Sequence, residues 1–276
     1  MQTPKGSAKG FYRRRKLNNY NLTIYDYGTS QGINNIWNEF IAGRGSNEVG
    51  SCLYRFIEEK ALRGTKEFSF YSDACGGQNR NRHILSLFWF VLRKFNLTEI
   101  RHTFFVSGHS QNEVDNVHSR IEQESNPIDI FTTAQWAGCI RNARRKPPRF
   151  QVNELDLDDF YNIKDISQNI KNFETDTNNQ KIEWLKIKRT KINKEDPNLV
   201  YISYDYEDNS WFQLNFCKKG RRTLEVPNPR EMRLKQLRQT YISIDKNKMK
   251  DLNYLCRTGL IPRIHHSFYN SLPVEK

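Results

Sequence analysis

The hydrophobic pattern changes period several times along the chain, and each change predicts an element. The run KLNNYNLTIYDYG (16–28) alternates in part and is rich in β-formers, which predicts a strand closed by a turn at Gly28. INNIWNEF (33–40) is a weaker second strand, so the two predict a hairpin. Val49, Leu53, Phe56 and Ile57 then fall on one helical face, with Ser46 as N-cap and Gly64 as the stop. EFSFYSD (67–73) reads as a strand. QNRNRHILSLFWFVLRKF (78–95) is apolar almost all round, as in a helix packed on both sides. EIRHTFFVSGHS (99–110) predicts another strand, QNEVDNVHSRIEQES (111–125) an amphipathic helix, and IFTTAQWAGCIRNAR (130–144) a helix ending at KPP.

Hairpin, helix, strand, helix, strand, helix is an α/β layering. It predicts one α/β domain over residues 10–165. The acidic, then amide-rich run NELDLDDFYNIKDISQNIKNFETDTNNQ suits a docking helix passing into a linker at 166–180. A small α+β region is expected over 181–276. Its strand-like pieces are KIEWLKIKR, NLVYISYDY and WFQLNF, followed by a helical pair around REMRLKQLRQTY and SIDKNKMKDLNYLCRTGLIP.

Charge adds a partner to this picture. The 276 residues carry 44 Lys and Arg against 31 Asp and Glu, a net +13. The cations cluster in RRRK (13–16), RNARRKPPR (141–149), KIKRTKINK (186–194) and KKGRR (218–222). Such clustering favours a polyanion, nucleic acid and DNA foremost, over a merely soluble basic surface. Arg144, Arg145 and Lys146 are the expected backbone contacts. The five cysteines show no CxxC pair, which fits a reducing compartment. No apolar run is long enough for a membrane span, and MQTPKGSAKGFYRRRK has no signal-peptide core. The reading is nuclear or cytoplasmic, not secreted, with no membrane partner.

Candidate chemistry gathers at the ends of two predicted strands. Asp73 closes the first and His109 the second, and ligands of open α/β sheets bind at such edges. Asp115, His118 and Glu122 share one face of the next helix at spacings of three, four and seven. Converging, these groups suit Mg²⁺ or Mn²⁺ and metal-dependent phosphodiester cleavage. Asp73, Asp115, His109 and Glu122 are the catalytic candidates, and Asp73, Asp115 and His118 the metal ligands. Gly76 and Gly77 let the backbone turn, and Gln78, Asn79 and Asn81 offer neutral donors where a helix begins. The alternatives are plainer. Asp73 is also read as the cap of the following helix, Cys75 with His109 as a hydrolase pair, and His109, His118 and Asp115 as a zinc set. Trp37 and Glu39 read as packing and capping residues, and His265–His266 as a docking surface.

YSDACGGQNRN and GHSQNEVDNVHSRIE together resemble the paired motifs of an uncharacterised eukaryotic family, abundant in arthropods and suspected to derive from DNA transposons. Flanking pieces extend the resemblance over nearly the whole chain. It implies an RNase H-like transposase or integrase core, a mixed sheet flanked by helices, with a triad of acidic residues. Asp73 matches the second acidic place, and Asp115 the third, with Glu122 as runner-up. Family members carry a first aspartate on a strand just before a TP segment. This chain opens at MQTPKG, so the first strand is expected to be missing. Asp26 stands on the second strand and does not take that place. The reading is a transposase-like nucleic-acid-processing domain, inactive as given, or a domesticated, non-catalytic module that binds nucleic acid or protein.

Overall fold

The computed structural model describes residues 1–106, 108, 111–207, 210–219, 222–223 and 228–274, without the side chains of Lys219, Arg222 and Thr223. In chain order the elements are β1 (Gln2–Thr3), β2 (Leu17–Asp26), β3 (Gln31–Asn38), α1 (Ser46–Leu62), β4 (Glu67–Ser72), α2 (Arg82–Lys94), β5 (Glu99–Phe104), α3 (Glu113–Ser125) and α4 (Thr133–Asn142). They continue with β6 (Gln151–Glu154), α5 (Lys164–Gln168), β7 (Arg189–Asn193), β8 (Leu199–Ser203), β9 (Phe212–Asn215), β10 (Lys218–Lys219), β11 (Arg222–Thr223), α6 (Lys246–Arg257) and α7 (His266–Asn270). The α/β class is borne out: two mixed sheets are flanked by helices. Contacts divide the chain into two compact units.

One unit comprises Met1–Gly43, Gln111–Asp159 and Arg238–Lys276. Its sheet has the order β1-β2-β3-β6. The expected hairpin is there: β2 and β3 pair antiparallel from Asn19 with Asn38 to Asp26 with Gln31. β6 adds to β3 in parallel. β3 intersperses amides among apolar residues yet is buried on both faces, because its amides find partners. Asn21 Nδ2 and Thr23 Oγ1 both donate to Asn34 Oδ1, and Asn153 Nδ2 donates to Asn35 Oδ1. Half-buried Thr133 sits in range of both Asn19 Oδ1 (2.7 Å) and Asn38 Oδ1 (2.8 Å), themselves buried. Val117, Ile121, Trp136, Ile140 and Phe150 pack around Ile36, and a second cluster joins Phe11 and Leu17 to Leu252, Leu255 and Tyr269. Trp37 is buried and donates to the Gly43 carbonyl. Glu39 pairs with Lys248, each side chain 17% exposed, and accepts from Asn18, which ties α6 to the hairpin.

The other unit comprises Arg44–Ser110 and Phe160–Leu237. Its sheet has the order β4-β5-β7-β8-β9, with β4 and β5 parallel and the rest antiparallel. The strands expected in a C-terminal appendage therefore extend the sheet that begins at Glu67. β5 had a free edge, and β7 fills it. All residues of α2 from Ile84 to Leu92 are buried, as its all-round apolar pattern predicts. Phe88 stacks on Phe70 at 5.2 Å and meets His102 edge-on. α1 and α5 cover the far side of α2.

Three expected elements differ. α1 begins at Ser46, with Gly45 as the cap and its N–H donated to Glu48, one residue before the predicted cap. The docking helix expected ahead of the linker at 166–180 is only the short α5, which itself runs into that linker. Around α5, Asn and Asp side chains bind nearby backbone N–H groups, as at Asp156, Asp159, Asn172 and Asp176, and such bonds compete with the helical ladder. REMRLKQLRQTY is extended. Met232 and Leu234 are half-buried between exposed Glu231, Arg233 and Lys235, a period of two, and Leu237 N–H donates to the Phe160 carbonyl.

Candidate nucleic-acid interface

The first candidate segment leaves β4 at Ser72. Asp73 is exposed and its Oδ1 accepts from Cys75 N–H (3.2 Å) and Asn79 Nδ2 (2.6 Å). It braces the loop 73–81 as an Asx turn does. It is not the cap of the following helix, because Asn81 is: Asn81 Oδ1 accepts from His83 and Ile84, and Asn81 Nδ2 donates to the Gly76 carbonyl. Gln78 and Asn79 thus lie in the loop, short of the helix N-terminus expected for them. Gln78 Nε2 donates to the Arg44 carbonyl. A Cβ at Gly77 would stand in open space, so packing within the loop does not demand that glycine. Cys75 is exposed in the same loop, ahead of α2.

Beneath the loop, Ser72 Oγ lies 2.8 Å from His102 Nε2 and donates to the Asp73 carbonyl. His102 is 4% exposed among Phe70, Phe88 and Phe104, and burial pushes its pKa down to about 3. It is held neutral at physiological pH. His83 Nδ1 lies 2.9 Å from Ser167 Oγ, and burial, aided by Arg82 and Lys164, lowers its pKa to about 4. Neither histidine stood among the sequence candidates. The period-two burial of β5 was the available signal for His102.

The second segment is α3, in the other unit. Asn112 caps it in a capping box: Asn112 Oδ1 accepts from Val114 N–H, and Asp115 Oδ2 accepts from Asn112 N–H at 2.9 Å. Asp115 is exposed. His118 Nε2 lies 2.9 Å from Thr23 Oγ1 of β2. The part of the ring that faces β2 loses solvent, which lowers the His118 pKa against the opposing pull of Asp115. His118 and Glu122 line a cleft of ≈ 490 Å³ with Lys5, Lys16, Asn21 and Trp136. Asp26, at the end of β2, accepts from Gly28 N–H and Thr29 Oγ1 and so braces its own turn.

A divalent ion needs several oxygen ligands at one point. Among the described residues no three His, Cys, Asp or Glu side chains form a group that could hold a metal ion. Asp73 and Asp115 each already give an oxygen to N–H donors, and His109 lies outside the described residues.

The cluster at 141–149 is largely on the surface. Arg145, Lys146 and Arg149 are exposed. Arg144 is half-buried, donating to the Ser30 carbonyl and lying over the Phe150 ring. Arg14 and Arg15 pair with Asp251, and Arg14 also stacks 4.0 Å over Tyr254. Of KKGRR, Gly220 and Arg221 lie outside the described residues. His265 stacks on Phe131 at 5.1 Å and His266 bonds the Ile261 carbonyl, so this pair anchors the chain locally where a docking surface was expected. Among the described residues no helix is long and apolar enough to cross a membrane.

Comparison with known proteins adds one finding. The model of a family described as a domain of unknown function, DUF7869, matches residues 30–199. No curated protein and no solved structure matches the chain.

Proposed function

The chain belongs to the DUF7869 family, and we propose that it is a nucleic-acid-binding module of transposase-like, RNase H-related ancestry that acts in the nucleus on DNA. The observation that carries this reading is the net charge of +13, with Arg145, Lys146 and Arg149 exposed in one run. Phosphate neutralisation supplies most of non-specific nucleic-acid affinity and needs no reading helix. The motif carboxylates support the same reading. Asp73 and Asp115 are engaged in holding a loop and a helix start, and binding through cations leaves them that role. Binding, not cleavage, is therefore the activity assigned to the 276 residues.

Charge reversal tests it. Arg145→Glu with Lys146→Glu is expected to lower DNA affinity by about a hundredfold at low salt, since each reversal both loses a phosphate contact and adds repulsion. Lys246→Glu with Lys250→Glu is the control, because both residues are exposed on α6. Lys248 is left intact for its pair with Glu39. Equal losses in the two double variants would contradict a localised interface, and unchanged affinity in both would contradict the reading.

A further inference from the structure

We propose that the open face of the five-stranded sheet is a platform for single-stranded nucleic acid. The inference rests on the reading that this chain binds nucleic acid, and it names the ligand class and the surface.

Alternation gives the sheet two different faces. One is apolar and covered: Phe68, Ile100, His102, Phe104, Thr190, Ile192, Val200, Ile202 and Leu214 are all buried. The opposite face is polar and partly open: Ser69, Tyr71 and Arg101 are exposed, Thr103, Arg189, Lys191, Tyr201 and Gln213 are half-buried, and Ser203 is buried. In one row of register, Ser69 stands beside Arg101, Arg101 beside Lys191, Lys191 beside Tyr201, and Tyr201 beside Gln213. In the next row Tyr71 stands beside Thr103, Thr103 beside Arg189, and Arg189 beside Ser203. Trp211 enters just before β9 and closes that row, with Arg189 4.6 Å from its ring. Tyr71 is 59% exposed and the Arg101 side chain 60%.

Cations and rings are neighbours on this face. Lys191 sits 5.1 Å from the Tyr201 ring and 5.2 Å from the Trp211 ring. Arg189 donates to the carbonyls of Asp205 and Glu207, which fixes the guanidinium against Trp211. Arg101 pairs with Glu99 on its own strand, an exposed pair that contributes little and that a phosphate can replace. Five positions across the strands span roughly 19 Å. That is room for the two or three bases that an open sheet stacks on its aromatic residues. Bases in a duplex hide the faces such rings need, whereas an unpaired strand offers both faces and phosphates.

The test uses the full chain and fluorescence anisotropy with labelled oligo(dT) and oligo(rU) of about a dozen nucleotides, beside a duplex of similar length. Tyr71→Ala with Tyr201→Ala is expected to lower single-strand affinity by at least about tenfold and to leave duplex affinity within about twofold. Tyr71→Phe with Tyr201→Phe keeps the rings and is expected to keep the affinity. Arg101→Gln with Lys191→Gln, which spares the rings, is expected to weaken both single strands and reduce their salt dependence. Unchanged single-strand affinity in the Ala and Gln variants, while the wild type binds, would overturn the platform and leave the nucleic-acid reading standing. Equal losses for duplex and single strand would overturn the preference for unpaired strands. A wild-type chain that binds none of the three would overturn both.

Discussion

The two sheets solve opposite problems. In the β1-β2-β3-β6 sheet, the central strand is buried on both faces although it carries Asn34, Asn35 and Asn38. Its amides accept from side chains of neighbouring elements: Asn34 from Asn21 and Thr23, Asn35 from Asn153, and Asn38 from Thr133. In the β4-β5-β7-β8-β9 sheet, one face is covered and mostly apolar, and the other carries Arg101, Arg189 and Lys191 with Tyr71 and Arg101 exposed. Polar residues in the first sheet serve structure, because a buried group without a partner is costly. On the outer face of the second, Tyr71 and Arg101 are exposed and accessible to a ligand.

The largest expected effect concerns the covered face of the second sheet. His102 has a folded pKa of about 3, below the ordinary value of 6.5. Between these values the unfolded chain binds a proton that the folded chain does not. Stability is therefore full above pH 6.5 and falls as the pH drops toward 3. Lowering the pH from 6.5 to about 4.5 is expected to remove about 2–3 kcal/mol through this residue. His102→Gln should flatten that part of the curve of stability against pH, measured by urea denaturation. An unchanged slope would mean that the covered face admits a charged imidazole.

The next effect sets the two sheets side by side with one chemical change. Thr133→Val removes the hydroxyl shared by Asn19 and Asn38 and leaves buried acceptors without a donor, a loss of about 1–3 kcal/mol. Thr103→Val, on the open face, is expected within about 0.5 kcal/mol of wild type. Equal effects in thermal melts would erase the contrast between the sheets.

The smallest effects concern the motif carboxylates. Asp115→Ala removes one half of a capping box and Asp73→Ala a loop brace, each about 1 kcal/mol. Neither is expected to reduce DNA affinity, since each removes a negative charge from the surface. A sharp loss of affinity at unchanged melting temperature would show that these carboxylates touch the ligand through an ion.

Much of the local structure was legible. The long periodic helices α1 to α4 and the strands β2 to β5 follow from apolar spacing alone. The capping box at Asn112 and Asp115 was also written in the sequence, yet Asp115 reads equally well as part of a metal face with His118 and Glu122. The partition into two sheets was not legible. It depends on which free edge accepts β6 and β7, and those pairings join residues far apart in sequence. The open platform shared that difficulty. Arg101, Lys191 and Tyr201 come from three strands, and only register aligns them.

The central claim is that this chain holds a polyanion by surface charge, and the salt dependence of DNA binding measures that directly. Affinity of the full chain for a labelled duplex is to be followed between about 50 and 200 mM salt. The account predicts a linear fall of log affinity with log salt, with a slope near −0.9 for each phosphate neutralised, hence several-fold to many hundredfold over that range. A flat response, or no binding at the lowest salt, would contradict it.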